Sequence, residues 1–140
     1  MEYRLFEDTV LVRLDKGDRI AESLLKVAKK EGIALATISG IGAVDEMEVG
    51  VFDLDTSTYD RYLYHGNHEI NALVGNLTTK DGENYLHLHI TATGESGMVV
   101  GGHLFEGTVS LTAEIFVQKV KGAVDRKFDG VLGINRIVFD

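Results

Sequence analysis

Residues 84–120 of the 140-residue chain read NYLHLHITATGESGMVVGGHLFEGTVSLTAEIFVQKV, and this stretch decides the fold. Apolar and polar residues alternate before the glycine-containing loop GESG (94–97), as they do in a β-strand with one buried face. After the loop, residues 108–120 are apolar on both faces, which is typical of a central strand. The stretch therefore predicts two antiparallel strands, joined by a loop, in the middle of a sheet.

Strand signals continue through most of the chain on both sides of this stretch. The segment VLVRLD (10–15) alternates and predicts an N-terminal strand, and the Asp-Gly pair at 81–82 is typical of a tight hairpin turn. A last short strand, INRIVFD (134–140), is expected after the charged connection KGAVDRKFDGVLG (121–133). Short strands separated by glycine-containing turns favour a sandwich or an open barrel.

One segment has a helical period instead. Apolar residues recur every three to four positions between residues 18 and 31, which predicts an amphipathic helix. Asp15 or Asp18 can cap its N-terminus, and Gly32 suits the position after its C-terminal end. We therefore expect a single α+β domain over residues 1–140, in which this one main helix packs on a mostly antiparallel, strongly curved sheet.

Composition and charge exclude several functions. The formal net charge of −8 disfavours binding to nucleic acid or an anionic membrane, since both depend on Lys and Arg. No apolar run approaches the roughly 20 residues of a membrane span, and the start MEYRLFEDTV does not resemble a signal peptide. We therefore expect a cytoplasmic protein. Because the chain has no cysteine, any metal must be bound by histidine and carboxylate.

Three of the five histidines lie in the opening stretch. On a β-strand, His87 and His89 project from the same face and can approach one cation. His103 lies on the returning strand, where the glycines at 101–102 remove side chains that would crowd its approach. Three imidazoles with a fourth position open are the arrangement of catalytic zinc sites. The alternative interpretation is that the histidines are polar residues on the exposed face of a sheet.

Acidic side chains are available to support such a site from outside the ligand set. The candidates are Glu69, Glu106 and Glu114, and Glu69 is notable because it begins an otherwise apolar strand. A charged residue there must be exposed, paired or close to an opposite charge.

A second motif, GIGAVD (40–45), resembles the start of a dinucleotide-binding fingerprint. It departs from that fingerprint because Asp45 occupies the third glycine position and a strand, not a helix, is predicted to follow. Gly40 and Gly42 are better explained by a bend or a close approach of two backbones.

Four motifs together closely resemble the plants-and-prokaryotes conserved (PPC) domain, and the likeness extends over essentially the whole chain. They are SGIGAV (39–44), GNHEINALVGN (66–76), LHLH (86–89) and GGHLFEGTVSLTAEI (101–115). The resemblance implies an α+β fold that assembles as a homotrimer. It also implies that His87, His89 and His103, which match the family's LHxH and GGHL positions, are the ligands in members that contain a metal.

The histidine pattern, the charge and the resemblance together leave three functions open. The first is a homotrimeric, non-catalytic binding, assembly or regulatory module with a divalent metal, zinc, at the three histidines, whose partners are its own copies and other proteins. The second is a DNA-binding, transcription-related protein, which is the usual label of prokaryotic members. This chain, however, lacks the Arg-Gly-Arg hook with which plant members bind DNA. The third is a zinc-dependent hydrolase or lyase of unknown substrate, with Glu69 or Glu114 as general base.

Overall fold

The computed structural model describes residues 1–139, and within them the chain forms eight strands and one helix. In chain order these are β1 (Glu2–Phe6), β2 (Thr9–Asp15), α1 (Ile20–Lys30), β3 (Ala36–Asp53), β4 (Thr58–Lys80), β5 (Glu83–Gly94), β6 (Val99–Lys119), β7 (Asp125–Asp129) and β8 (Ile134–Val138). The predicted last strand is confirmed as β8, except that residue 140 of the prediction lies outside the described residues.

The four long strands form a closed ring. Strand β3 pairs with β4 and β6, β4 pairs with β5, and β5 pairs with β6, all antiparallel. The β1–β2 hairpin extends the sheet from β6. The β7–β8 hairpin joins β4 through a single parallel pair, Thr79 with Asp125. Residues of the ring, of β2 and of α1 together form one apolar core, and α1 packs against β5 and β6.

The α+β prediction is wrong, because the protein is largely a sheet. Strands account for 70% of the chain and helix for 8%, and α1 is only 11 residues long, beginning at Ile20 rather than at residue 18. The strands were also expected to be short, but β3, β4 and β6 are 18, 23 and 21 residues long. Gly40 and Gly42 lie at an irregularity of the β3–β4 pairing, within one continuous strand.

Close backbone approach explains Gly42, as predicted. A Cβ atom there would lie 2.5 Å from the backbone oxygen of Thr112 on β6. The predicted hairpin turn is confirmed as well: Asp81 and Gly82 both have positive φ angles, 53° and 81°, as a two-residue turn of type I′ requires.

The ends of α1 confirm one capping prediction and contradict the other. At the C-terminal end Gly32 has a φ of 62°, and the Ile33 N–H donates to the carbonyl of Ala28, which is a Schellman motif. At the N-terminal end the cap residue is Arg19, not Asp15 or Asp18, and its side chain makes no capping hydrogen bond. The carboxylate of Glu106 on β6 accepts from the N–H groups of Ala21 and Glu22 instead, at 2.8 and 3.2 Å.

Within residues 1–139, no helix has both the length and the apolar character needed to cross a membrane.

Candidate metal centre

The two histidines of β5 occupy the outer face of the ring, as their spacing predicts. Leu88 and Ile90, which alternate with them, are 1% and 2% exposed and belong to the core. His103 on β6 lies directly opposite His89 in the β5–β6 register. The antiparallel return of the chain after the GESG loop is therefore confirmed, and it brings the third imidazole beside the other two.

The three imidazoles converge on one point. The ring centroid of His87 lies 5.1 Å from that of His89 and 5.1 Å from that of His103, and the His89–His103 separation is 5.8 Å. One ring nitrogen from each residue lies within 4.8 Å of the other two. Zn–N bonds of about 2.0–2.1 Å place the nitrogens of a tetrahedral site roughly 3.3 Å apart, so small ring rotations would bring all three into bonding range.

The glycines before His103 allow the close approach expected of them. A Cβ on Gly101 would lie 2.2 Å from the carbonyl oxygen of Ile90, and one on Gly102 would lie 2.6 Å from that of Gly50. Side chains at these two positions would push β6 away from both neighbours and separate His103 from the histidines of β5.

His103 has an unsatisfied nitrogen. Its ring lies between those of Tyr59 and Phe105, each with its centroid 4.9 Å away. Its Nδ1 atom is buried and has no hydrogen-bond partner among the described residues. Buried polar atoms are normally paired, so an unpaired nitrogen in a histidine cluster fits a missing metal ligand bond.

The environment of the histidines favours their neutral form. Burial lowers the pKa of His103 to about 4, with smaller contributions from the positive charges of protonated His87 and His89 and of Arg61. The pKa of His87 is also lowered, by burial first and then by the charges of His89 and Arg126. Because a metal binds the neutral imidazole, these two residues need release no proton near pH 7 to act as ligands.

A cavity of about 570 Å³ adjoins the histidines on the outer face of the sheet. Strands β4, β5 and β6 supply one wall, and the β7–β8 hairpin supplies the other. The residues that line it are Tyr59, Asn76, Tyr85, His87, His103, Phe105, Arg126, Gly133, Ile134, Asn135, Arg136 and Ile137. Its size is that of a small-molecule site.

Arg126 attaches the hairpin to the sheet. Its Nε donates to Thr78 Oγ1 at 2.8 Å, its Nη1 to the backbone oxygen of Asn135 at 2.9 Å, and its Nη2 to Asn76 Oδ1 at 2.9 Å. The guanidinium carbon lies 4.8 Å from the ring centroid of Tyr85, which is a cation–π contact. The side chain is 6% exposed.

The structure places the three candidate carboxylates away from this cavity. Glu69 and Glu114 line a separate cavity together with Gly42 and Thr112. Glu106 caps α1 and lies within 3.5 Å of Arg19. The described residues therefore contain no hydrogen bond between any of these carboxylates and a histidine of the site.

Sequence reasoning missed Tyr59 and Arg126. Tyr59 packs on His103. Arg126 lies in residues 121–133, which were interpreted as a connection although they contain β7. A hairpin signal was present, since Asp129-Gly130 precedes the predicted strand at 134.

The fold and site together define a small, closed β-sheet domain with a histidine cluster beside a ligand-sized cavity. The family model described as the Plants and Prokaryotes Conserved (PCC) domain matches residues 1–121. The chain therefore belongs to this family, and the resemblance seen in the sequence is confirmed.

Solved structures of similar proteins agree with this assignment. A metal-containing protein from Archaeoglobus fulgidus is 32% identical, with a TM-score of 0.89, and the match covers 99% of this chain and 97% of that one. A plant- and prokaryote-conserved protein from Pyrococcus horikoshii is 36% identical, with a TM-score of 0.85 and coverages of 94% and 91%. A candidate DNA-binding protein from Bacteroides thetaiotaomicron is 28% identical, with a TM-score of 0.95 and coverages of 99% and 96%. Comparison with curated proteins found no match.

Proposed function

We propose that the protein is a homotrimeric, non-catalytic binding module in which His87, His89 and His103 hold one divalent metal ion, zinc. The observation that carries the proposal is the convergence of three imidazole nitrogens from two adjacent strands. The name of the Archaeoglobus relative, a metal-containing protein, supports it.

This set of ligands favours zinc over magnesium and calcium. Imidazole nitrogen suits zinc, copper, iron and nickel, whereas magnesium and calcium prefer oxygen ligands. Three histidines leave one position of a tetrahedral ion open, and the cavity beside His87 and His103 gives a small molecule access to it.

The described lining of the cavity lacks the carboxylate base that the hydrolase or lyase alternative assigns to Glu69 or Glu114. Hydrolase or lyase chemistry at a zinc ion needs a general base within reach of the reacting group. None of the residues of the described chain that line the cavity is an aspartate or a glutamate. The carboxylates suggested for that role, Glu69 and Glu114, line a different cavity.

An apolar groove on the outer face of the sheet supports self-assembly. Ile41, Val74 and Phe116 lie in this groove and are 57%, 50% and 49% exposed. They come from three neighbouring strands, since Ser39 of β3 pairs with both Val74 and Phe116. Exposed apolar groups that cluster in this way are typical of protein contacts, and we propose that copies of the chain cover them in the trimer.

Metal analysis tests the zinc site. We expect roughly one zinc ion per chain in protein purified without a metal-affinity tag, and His103→Ala should abolish most of it. His65→Ala is the matched control, because His65 is exposed and pairs only with Glu46. Less than roughly a third of an equivalent in the unchanged protein, with no uptake on titration with zinc, would refute the site.

Light scattering coupled to gel filtration tests the trimer. The expected mass is three times the 15.3 kDa of one chain. Phe116→Glu should lower the mass, while Phe128→Glu, at a position that is 66% exposed but outside the groove, should leave it unchanged. A monomer at micromolar concentration would contradict the proposal.

DNA binding is the second candidate, because the Bacteroides neighbour is named a candidate DNA-binding protein. A net charge of −8 opposes it. We expect no salt-sensitive shift of duplex DNA at physiological ionic strength, and a sub-micromolar affinity would favour DNA binding over the metal-binding module.

We place the protein in the cytoplasm, since a chain without cysteine suits a reducing compartment.

A further inference from the structure

The cavity contains a buried positive charge without a counter-ion. Arg126 is 6% exposed, and its three hydrogen bonds all go to neutral oxygen atoms. Other arginines of the chain behave differently: Arg13, Arg61 and Arg136 each lie within 4.0 Å of a carboxylate. No ion pair of the described residues includes Arg126.

Burial of a charge without an opposite charge is costly, and neutral hydrogen bonds compensate only part of that cost. A guanidinium group has five N–H donors, and Arg126 uses one on each of its three nitrogens. One N–H on Nη1 and one on Nη2 therefore remain without a protein partner. N–H groups on the two terminal nitrogens of a guanidinium group are one of the forks that bind a carboxylate through both of its oxygens.

The cavity as a whole is positively charged although the protein is acidic. Arg126 and Arg136 line it, and no carboxylate of residues 1–139 does. The charge of Arg136 is already compensated, because its Nη1 lies 2.7 Å from Asp129 Oδ2. The charge of Arg126 is thus the one that an anionic ligand would neutralise.

The histidines lie within reach of the same ligand. Asn76, which accepts a hydrogen bond from Arg126, is the register partner of His87. Tyr85, which stacks on the guanidinium group, precedes His87 by two residues on the same strand, a step of about 6.6–6.8 Å. A molecule of a few carbon atoms therefore spans the distance from Arg126 to the histidine cluster. Aromatic rings of Tyr59, Tyr85 and Phe105 flank the space between.

We propose that the cavity binds a small organic acid, with its carboxylate on Arg126, its flat apolar body against the aromatic residues and its far end toward the three histidines. This inference rests on the proposed binding function, and it names the class of ligand. Arg126 lies beyond residues 1–121, the part matched by the family model.

Calorimetric titration with benzoate tests the proposal, and benzamide serves as a neutral molecule of nearly the same shape. We expect saturable binding of benzoate below roughly 10 mM, and binding of benzamide that is at least about tenfold weaker. Equal affinities for the two compounds, or no saturable binding of benzoate, would overturn the proposal. Inorganic phosphate is titrated as a competitor, and displacement of benzoate at equal concentration would refute the preference for carboxylate.

Two variants test whether Arg126 is the residue that binds the carboxylate of benzoate. Arg126→Met should weaken benzoate binding by about tenfold or more, whereas Arg136→Met, in the same cavity but already paired, should change it less than about threefold. Circular dichroism checks that both variants fold. If Arg126→Met does not fold, the comparison of benzoate with benzamide on the unchanged protein still decides the outcome.

The zinc content of every sample is measured in parallel, which separates this proposal from the metal site. Charge-selective binding that depends on Arg126 in protein without zinc would uphold the carboxylate site while the metal proposal fails. Full zinc content with no discrimination between benzoate and benzamide would refute the carboxylate site alone.

Discussion

Without a bound metal, the stability of the protein should depend strongly on pH through His103. In the folded chain burial lowers the pKa of this imidazole to about 4, from an ordinary value of 6.5. A histidine with a lowered pKa resists protonation in the folded state, whereas the unfolded chain takes up the proton freely. Its contribution is therefore present above pH 6.5 and is lost as the pH falls toward 4.

The magnitude follows from the difference between the two pKa values. Each unit corresponds to about 1.36 kcal/mol, so His103 alone can remove about 3 kcal/mol once the pH is below 4. Between pH 7 and pH 5 the loss is about 2 kcal/mol. The lowered pKa of His87 acts in the same direction. The lowered pKa values of Asp15 and Asp18 affect stability only below about pH 4, outside this window.

Urea unfolding in the presence of a chelator measures the effect. The chain has no tryptophan, so unfolding is followed by tyrosine fluorescence or by circular dichroism at pH 5, 6 and 7. His103→Asn should lose most of the pH dependence, and His65→Asn, at an exposed position, should retain it. If the free energy of unfolding changed with pH as steeply in His103→Asn as in the unchanged protein, the link between burial of His103 and its neutral form would be refuted.

Two further predictions concern the positions that hold the fold around the site. Glu106→Ala should lower the free energy of unfolding by about 1 kcal/mol, because it removes the cap of α1, and Glu106→Gln should cost less since an amide oxygen still accepts a hydrogen bond. Gly42→Ala should cost about 2 kcal/mol or more, because its Cβ meets the backbone of Thr112 at 2.5 Å, while Gly130→Ala has space and should change little. Urea unfolding at pH 7 measures the free energy of unfolding of all four variants. A Glu106→Ala protein as stable as the original, or equal losses for the two glycine variants, would contradict these expectations.

The histidine arrangement could be predicted from the sequence because it depends on local geometry. Alternation places His87 and His89 on one face whatever the rest of the sheet does, and a short loop returns the chain to bring His103 alongside. The α+β prediction failed because the one helix has only 11 residues while the strands are much longer than expected, as the 18 residues of β3 show. Glycine-containing segments were expected to separate short strands, but a glycine within a continuous strand and a glycine in a turn look alike in sequence.

Contacts between distant segments could not be predicted in this way. Glu106 caps a helix 84 residues earlier in the chain, and no local pattern distinguishes it from Asp15 and Asp18. Arg126 reaches Asn76, 50 residues away, across a hairpin that was interpreted as a connection. Burial of its charge depends on that tertiary contact, which its own neighbours in sequence do not reveal.

The two walls of the cavity differ in how deeply they are built into the protein. The histidines stand on β5 and β6, strands of the closed ring, where substitutions of Leu88 or Gly101 would disturb the core. Arg126 stands on the β7–β8 hairpin, which meets the ring at one parallel pair and a few side-chain contacts. Mutation can therefore vary the hairpin wall, and with it the choice of ligand, while the histidine wall stays constant. Changes at other lining positions of the hairpin, such as Ile134 and Ile137, would alter the ligand preference while Arg126 keeps the hairpin attached to the sheet.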